Sequence, residues 1–265
     1  MKKKLLNLML LFVALGVSHS AMAWGGWGHY ITAYIAEQHL TPEAKAKCEL
    51  YLKHSLPHYA SWMDRWRNTP PFEETTYWHM NRVNKDYVTI GNNDISRDAV
   101  TQLERVNKEM IKGGYKNLSD SLVAVNLKYL IHMVGDMHCP CHVAYSKDCG
   151  LKGHSIYKNG KKVNRHKFWD GAPQMMHPKW KADRFLKEYD TYSPKQIKKI
   201  AKGTPTKWSK QNATKMVQTY YIWEGGQKFE ELTDKQRKQI DETLHEQLAY
   251  GGYRLAAMLN NIFSE

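Results

Sequence analysis

The chain is short of acid. Its 265 residues carry 26 Asp and Glu against 39 Lys and Arg, a formal net charge of +13. Three of those charges, Lys2, Lys3 and Lys4, fall in the first 23 residues, which hold no acid, so residues 24–265 keep +10. That surplus suits a polyanionic partner, and it also serves solubility. Beyond the first 23 residues no apolar run is long enough to read as a membrane span. Internal repeats and low-complexity linkers are missing as well, which argues against repeat arrays and tethered modules. Cysteine is sparse. Cys48, Cys139, Cys141 and Cys149 allow three complete pairings, and the sequence does not choose among them. What remains is ordinary globular composition, 42% hydrophobic and 25% charged. This excludes a disordered or collagen-like chain and leaves enough length for a sizeable core.

The first segment reads as an address. Lys2 to Lys4 form a basic start, Leu5 to Val17 an apolar stretch, and Ala21-Met22-Ala23 a small-x-small cleavage site. This is the pattern of a secretory signal peptide over residues 1–23, cut before Trp24. The mature protein is expected in the periplasm or outside the cell, with no stable membrane association, and as a monomer by default. Export makes disulfides chemically possible.

The rest predicts a single mainly α-helical domain. Tyr30 to Leu40 has helical spacing, and Thr41-Pro42-Glu43 is a helix start with an N-cap and a first-turn proline. Residues 97–113 read as a helix. From about Ser121 to His138, Leu122, Val125, Tyr129 and Val134 suggest a long, largely buried helix. Ile240, Leu244, Leu248, Leu255, Leu259 and Ile262 mark a C-terminal helix of several turns. One hairpin is expected at 155–163, turning on Asn159-Gly160. Residues 70–94, rich in aromatic and polar groups and without a clear period, read as a long loop over a site.

The chemistry is carried by spacing. His132 and Asp136 are four apart on the long helix, as are His166 and Asp170, so each pair shares a helix face. A histidine and a carboxylate so placed can clamp a borderline-soft divalent cation. One pair alone is equally an ordinary helix hydrogen bond; two pairs plus His142 favour metal. Asp136 also sits in an apolar run, where an inward carboxylate needs a cation or strong hydrogen bonds. Asp64 and Arg67 lie in Ser61-Trp-Met-Asp-Arg-Trp-Arg67, and the planar fork of Arg67 suits phosphate. His79 follows in Tyr77-Trp-His-Met-Asn81. Cleavage before Trp24 would leave Trp-Gly-Gly-Trp-Gly-His29, whose free amine, first carbonyl and His29 can chelate one ion. Cys139 and Cys141 can be read as a thiolate metal site, but the histidines and aspartates around them make the better one.

These residues resemble a family, the zinc-dependent single-strand-specific nucleases of the S1/P1 type, which share a superfamily with zinc phospholipase C. The resemblance spans essentially all of 24–265. It rests on Trp24-Gly-Gly-Trp-Gly-His29, Trp62-Met-Asp-Arg-Trp-Arg67, His132-Met-Val-Gly-Asp136-Met-His138-Cys-Pro-Cys-His142, His166-Lys-Phe-Trp-Asp170 and Gly252-Tyr-Arg254-Leu-Ala-Ala-Met-Leu-Asn260.

The resemblance implies three zinc ions. Asp64, His79, His132 and Asp136 would hold the first; His142, His166 and Asp170 the second; the Trp24 amine and carbonyl, His29 and Asp136 the third. His138 matches a position that is not a ligand in the family. Asp64, Asp136 and Arg67 would serve catalysis, with Arg67, Met80 and Asn81 at the substrate. The implied reaction is hydrolysis of single-stranded DNA and RNA by a metal-activated hydroxide, giving 5′-phosphorylated products, with 3′-nucleotides as further substrates. Met80 departs from the family, which often has a base-stacking aromatic after the histidine corresponding to His79; Trp66, Tyr77 or Trp78 could take that part. Cys139 and Cys141 also depart from it. Their position suggests a local disulfide, with Cys141 to Cys149 as the candidate pair.

Two other readings compete. A zinc phospholipase C would use the same cage on lipid phosphodiesters. Against it stand the five-residue step from Trp24 to His29, longer in the phospholipases, and Asp170, where they place glutamate. A non-catalytic protein binding zinc or nucleic acid would favour clustered histidines in a flexible tract. Here the donors are spread over more than 140 residues, and Arg67 would have no purpose.

Overall fold

The computed structural model describes residues 24–90 and 98–264. Helices dominate, as the periodicity predicts: α1 (Gly26–Gln38), α2 (Pro42–Leu52), α3 (Leu56–Tyr59), α4 (Trp62–Trp66), α5 (Ala99–Met110) and α6 (Asp120–His138) in the first half. The second half adds α7 (Arg165–Met176), α8 (Ala182–Tyr189), α9 (Pro194–Ile200), α10 (Pro205–Met216) and the 30-residue α11 (Asp234–Phe263). Local chemistry sets the starts. Thr41 Oγ1 accepts the Ala44 N–H at 3.2 Å, Ser119 caps α6, and Thr233 with Gln236 forms a capping box on α11. The expected signal segment, residues 1–23, lies outside the described residues.

Two small sheets complete the fold among the described residues. β3 (Ile156–Lys158) and β4 (Lys161–Val163) form the expected hairpin. Asn159 and Gly160 have φ of 50° and 73°, the pair of positive angles that a two-residue hairpin turn requires. The other sheet corrects the expectation that 70–94 is one long loop. Residues Glu73–Tyr77 form a 3₁₀ turn, and β1 (Asn81–Val83) pairs in parallel with β2 (Val143–Tyr145). Three residues are too few to show a period in the sequence, and their partner lies sixty residues away. Residues 91–94 of that expected loop lie outside the described residues.

α6 runs through the middle. Val123, Leu127, Leu130, Ile131, Met133 and Val134 are buried against α5, α2 and α11, while Leu122, placed on the buried face by the sequence reading, is 41% exposed. α1 lies along α11, and the contact is close because α11 has glycine where the helices meet. A Cβ on Gly252 would stand 2.5 Å from Ile35 Cγ2 and 3.1 Å from the Thr32 carbonyl. His138 and Arg254 cross-link α6 to α11. His138 Nδ1 donates to the Val134 carbonyl at 2.7 Å, and Arg254 Nη1 donates to His138 Nε2 at 2.9 Å. Burial, with the Arg254 charge beside it, pushes the His138 imidazole down to about 3, so it stays neutral and free to accept. The helices that carry candidate site residues, α1, α4, α6 and α7, each set apolar side chains into the buried clusters, among them Ile35, Met63, Leu130 and Trp169.

Replacing Gly252 by alanine should therefore separate α1 from α11 and lower stability by about 1–3 kcal/mol, read as a drop in the urea midpoint. An unchanged midpoint would show that this contact yields without cost.

Candidate metal centre

Six chain segments deliver the polar residues to one place. α6 contributes His132 and Asp136, both 0% exposed and one turn apart. α1 brings His29 from its first turn. It fits because α6 has glycine at 135, where a Cβ would lie 2.5 Å from His29 Nδ1. The His29 and His132 rings stack with centroids 4.0 Å apart. α4 brings Asp64, with Arg67 just after it. The parallel pairing of β1 with β2 sets His79 beside His142: Asn81 N–H donates to the His142 carbonyl at 2.9 Å, and His142 Nδ1 to the His79 carbonyl at 2.5 Å. α7, capped by Asn164, carries His166 and Asp170.

Asp136 is the hub. Its Oδ1 lies 3.2 Å from His29 Nε2 and 3.6 Å from His142 Nδ1. Its Oδ2 lies 3.0 Å from His79 Nδ1 and 3.2 Å from His132 Nε2. On one side Asp64 reaches to 3.8 Å from His79 Nδ1, 3.9 Å from His132 Nε2 and 3.5 Å from Arg67 Nη1. On the other side Asp170 Oδ1 is 3.7 Å from His142 Nε2, and Oδ2 is 3.4 Å from His166 Nε2. His132 Nδ1 donates to the Ala60 carbonyl at 2.7 Å, which turns Nε2 inward as a donor atom.

The electrostatics follow from burial. Burial pushes the imidazoles of His29, His79 and His166 below their usual range. At His132 burial acts the same way, but the charges of Asp136 and Asp64 outweigh it and the net direction is up. His142 is likewise lowered by burial and raised further by Asp136, reaching about 10. For Asp136 burial raises the carboxyl, yet His132 and His142 hold it well below the usual carboxylate range. A fully buried, ionised carboxylate of this kind persists only among positive groups.

The donor chemistry fits a metal. Both ring nitrogens of His29, both carboxylate oxygens of Asp64, Asp136 Oδ1, and Nε2 of His79, His142 and His166 are buried without a hydrogen-bond partner. Each would cost about 1–3 kcal/mol if left unmatched, so their convergence points to cations. The donors fall into three groups with spacings a single ion can span: Asp64, His79 and His132; His29, His132 and Asp136; and Cys139, Cys141, His142 and Asp170.

Convergent buried histidines and aspartates in a mainly helical fold make a candidate metal centre, and the chain belongs to the S1/P1 nuclease family, whose model matches residues 24–264. It is a nuclease by that membership. It is similar to nuclease P1 of Penicillium citrinum, at 28% identity covering 90% of this chain and 97% of that one. Nuclease S1 of Aspergillus oryzae is 24% identical over 95% of this chain and 96% of its own. Endonuclease 4 of Arabidopsis thaliana is 26% identical over 93% and 91%.

Other expected residues are less central. Trp24 is wholly buried, with Gly25 N–H donating to the Asp170 carbonyl at 2.7 Å. Arg67 is 8% exposed. Met80 is partly buried, and the Asn81 amide turns inward to donate to Ser209 Oγ at 2.5 Å. Of the suggested stacking residues, Trp78 is packed on Tyr129 at 5.2 Å, while Trp66 and Tyr77 are 43% and 49% exposed.

The structure forms no bond between Cys141 and Cys149 and leaves all four thiols free. The turn after α6 points Cys139 and Cys141 inward, with Sγ atoms 3.1 Å apart and Cys141 Sγ 3.0 Å from Asp170 Oδ1. Cys149 follows β2 in a short 3₁₀ turn, its Sγ 3.6 Å from Ser146 Oγ.

Asp136→Asn should remove at least one metal ion per chain, counted by elemental analysis after exhaustive dialysis, and with it nuclease activity. Full metal content in that variant would rule out a ligand at the hub.

Proposed function

We propose that this protein is an exported zinc endonuclease that cleaves single-stranded DNA and RNA to 5′-phosphorylated products and also removes 3′-phosphates from nucleotides. The observation that carries the reading is the Asp136 hub in a chain of this family. Zinc held there would supply Lewis acidity toward a phosphoryl oxygen and lower the pKa of a coordinated water toward neutrality.

The donor sets are those that the family resemblance implies. Asp136 Oδ2, with His79, His132 and Asp64, would hold one ion. Asp136 Oδ1 and His29, with the Trp24 amine and carbonyl, would hold another. His142, His166 and Asp170 would hold the third. The split of contacts between the two oxygens of Asp136 supports its bridging role. Arg67, steadied by Asp64 at 3.5 Å, would bind two phosphoryl oxygens and offset charge as it develops there. Its planar fork sets orientation as well as charge, so lysine is a poor substitute. Trp66 and Tyr77 offer exposed rings on which bases can stack, a contact every base can make. Met80 can pack against a base without a π face. The +10 charge of residues 24–265 favours a polyanion.

The role of Trp24 ties export to activity. Removal of the leader exposes the α-amine beside the site, so processing would complete the ligand set. The full burial of Trp24 and the Gly25–Asp170 hydrogen bond support this placement of the terminus.

The test is turnover by correctly processed protein on single-stranded DNA, RNA and phosphatidylcholine in parallel. Expected are nucleic-acid fragments with 5′-phosphate ends, abolished by a chelator and restored by zinc. Released phosphocholine with intact nucleic acid would mean a lipid substrate; metal-loaded protein without turnover would mean a binding protein. Arg67→Lys should lower kcat about 10²-fold, with metal content unchanged. A chain keeping one extra residue before Trp24 should lose one zinc and most activity, and full activity there would refute the ligand role of the amine.

A further inference from the structure

Cys139 and Cys141 face the metal centre but have no part in the ligand sets above. Their sulfurs are 3.1 Å apart and buried, and Cys141 Sγ is 3.0 Å from Asp170 Oδ1. His142, the next residue, is 2% exposed, and its Nε2 has no hydrogen-bond partner while standing 3.7 Å from the same carboxylate oxygen. One donor atom from each of the four residues lies within 4.8 Å of every other. Ligands around a tetrahedral zinc, with bonds of about 2.0–2.3 Å, are separated by roughly 3.3–3.8 Å, so the two sulfurs, at 3.1 Å, and Cys141 Sγ and Asp170 Oδ1, at 3.0 Å, would part by a few tenths of an ångström to admit one ion, while His142 Nε2 and Asp170 Oδ1, at 3.7 Å, already stand in that range. His166 is outside this group. It meets Asp170 through the other oxygen, Oδ2, at 3.4 Å, and its side chain is 30% exposed. Asp170 thus turns one oxygen to the sulfurs and the other to His166.

We propose that Cys139 and Cys141 are metal donors, forming with His142 and Asp170 a sulfur-containing position that selects a thiophilic divalent cation. The proposal rests on the metal-centre reading above and revises one of its positions, with the two sulfurs standing in for His166 in the set of His142, His166 and Asp170. Each thiol that binds gives up its proton to solvent as the metal–sulfur bond forms, with no change in oxidation state. A sulfur donor pair favours zinc or cadmium over magnesium, calcium or manganese, which prefer oxygen. It also makes this position sensitive to oxidation, because a disulfide between the two cysteines would withdraw both donors.

Cobalt(II) substitution reads this directly. Metal-free protein kept under reductant is titrated with cobalt(II). Visible d–d absorption reports binding at any position, and a near-ultraviolet sulfur-to-cobalt charge-transfer band reports thiolate ligation. The band is expected in the wild type, absent from the Cys139→Ser/Cys141→Ser double variant and intact in Cys149→Ser. Cadmium added to the wild type should give the corresponding sulfur-to-cadmium band, which keeps the test valid if the double variant does not fold. Visible absorption without a charge-transfer band would overturn the thiolate assignment and leave the nitrogen and oxygen ligand sets standing. Failure to bind cobalt at all would overturn both. Two free thiols rather than four in the purified protein, counted after unfolding without reductant, would also overturn it, since the pair would then be a disulfide.

Discussion

The structure is organised around one buried negative charge. Asp136 has no exposure, yet its carboxyl is held ionised by four imidazoles, one from its own helix and three from other segments. Isolated in an apolar interior, such a charge would cost several kcal/mol. Placed among ring nitrogens and a second carboxylate, it becomes a receptor for cations. The rest of the fold can be understood as the means of bringing those groups to it. α1 and α6 approach closely enough for His29 because residue 135 is glycine, and the β1–β2 pairing holds His79 and His142 at fixed register.

That arrangement separates stability from function. The helices are packed by two apolar clusters, and His138 is neutralised and tied to Arg254 away from the hub. The donors are therefore preorganised, with single nitrogens turned inward by backbone carbonyls at Ala60 and His79. Preorganisation of this kind is what a hydrolytic metal centre needs, because little reorganisation is then left for the reacting step.

Much of this was legible in the sequence. The two i, i+4 pairs on α6 and α7 showed themselves because helical periodicity converts spacing into direction. The hairpin showed itself through Asn159-Gly160, whose turn geometry is local. What stayed hidden depended on distant contacts. β1 and β2 are three residues each, and only their pairing across the fold makes them strands. The inward turn of Asn81 toward Ser209 and the burial of Trp78 beside Tyr129 likewise come from tertiary packing. The surroundings of Cys139 and Cys141 stayed hidden for a related reason, since the turn after α6 sets Cys141 against Asp170 of a different helix.

The most direct test is anomalous diffraction at the zinc absorption edge from crystals of the processed protein grown with zinc. Peaks are expected on both sides of the Asp136 carboxylate, one bonded to Oδ1 and His29, the other to Oδ2, His79, His132 and Asp64. No peak within bonding distance of Asp136, with zinc found only at surface histidines, would contradict that expectation.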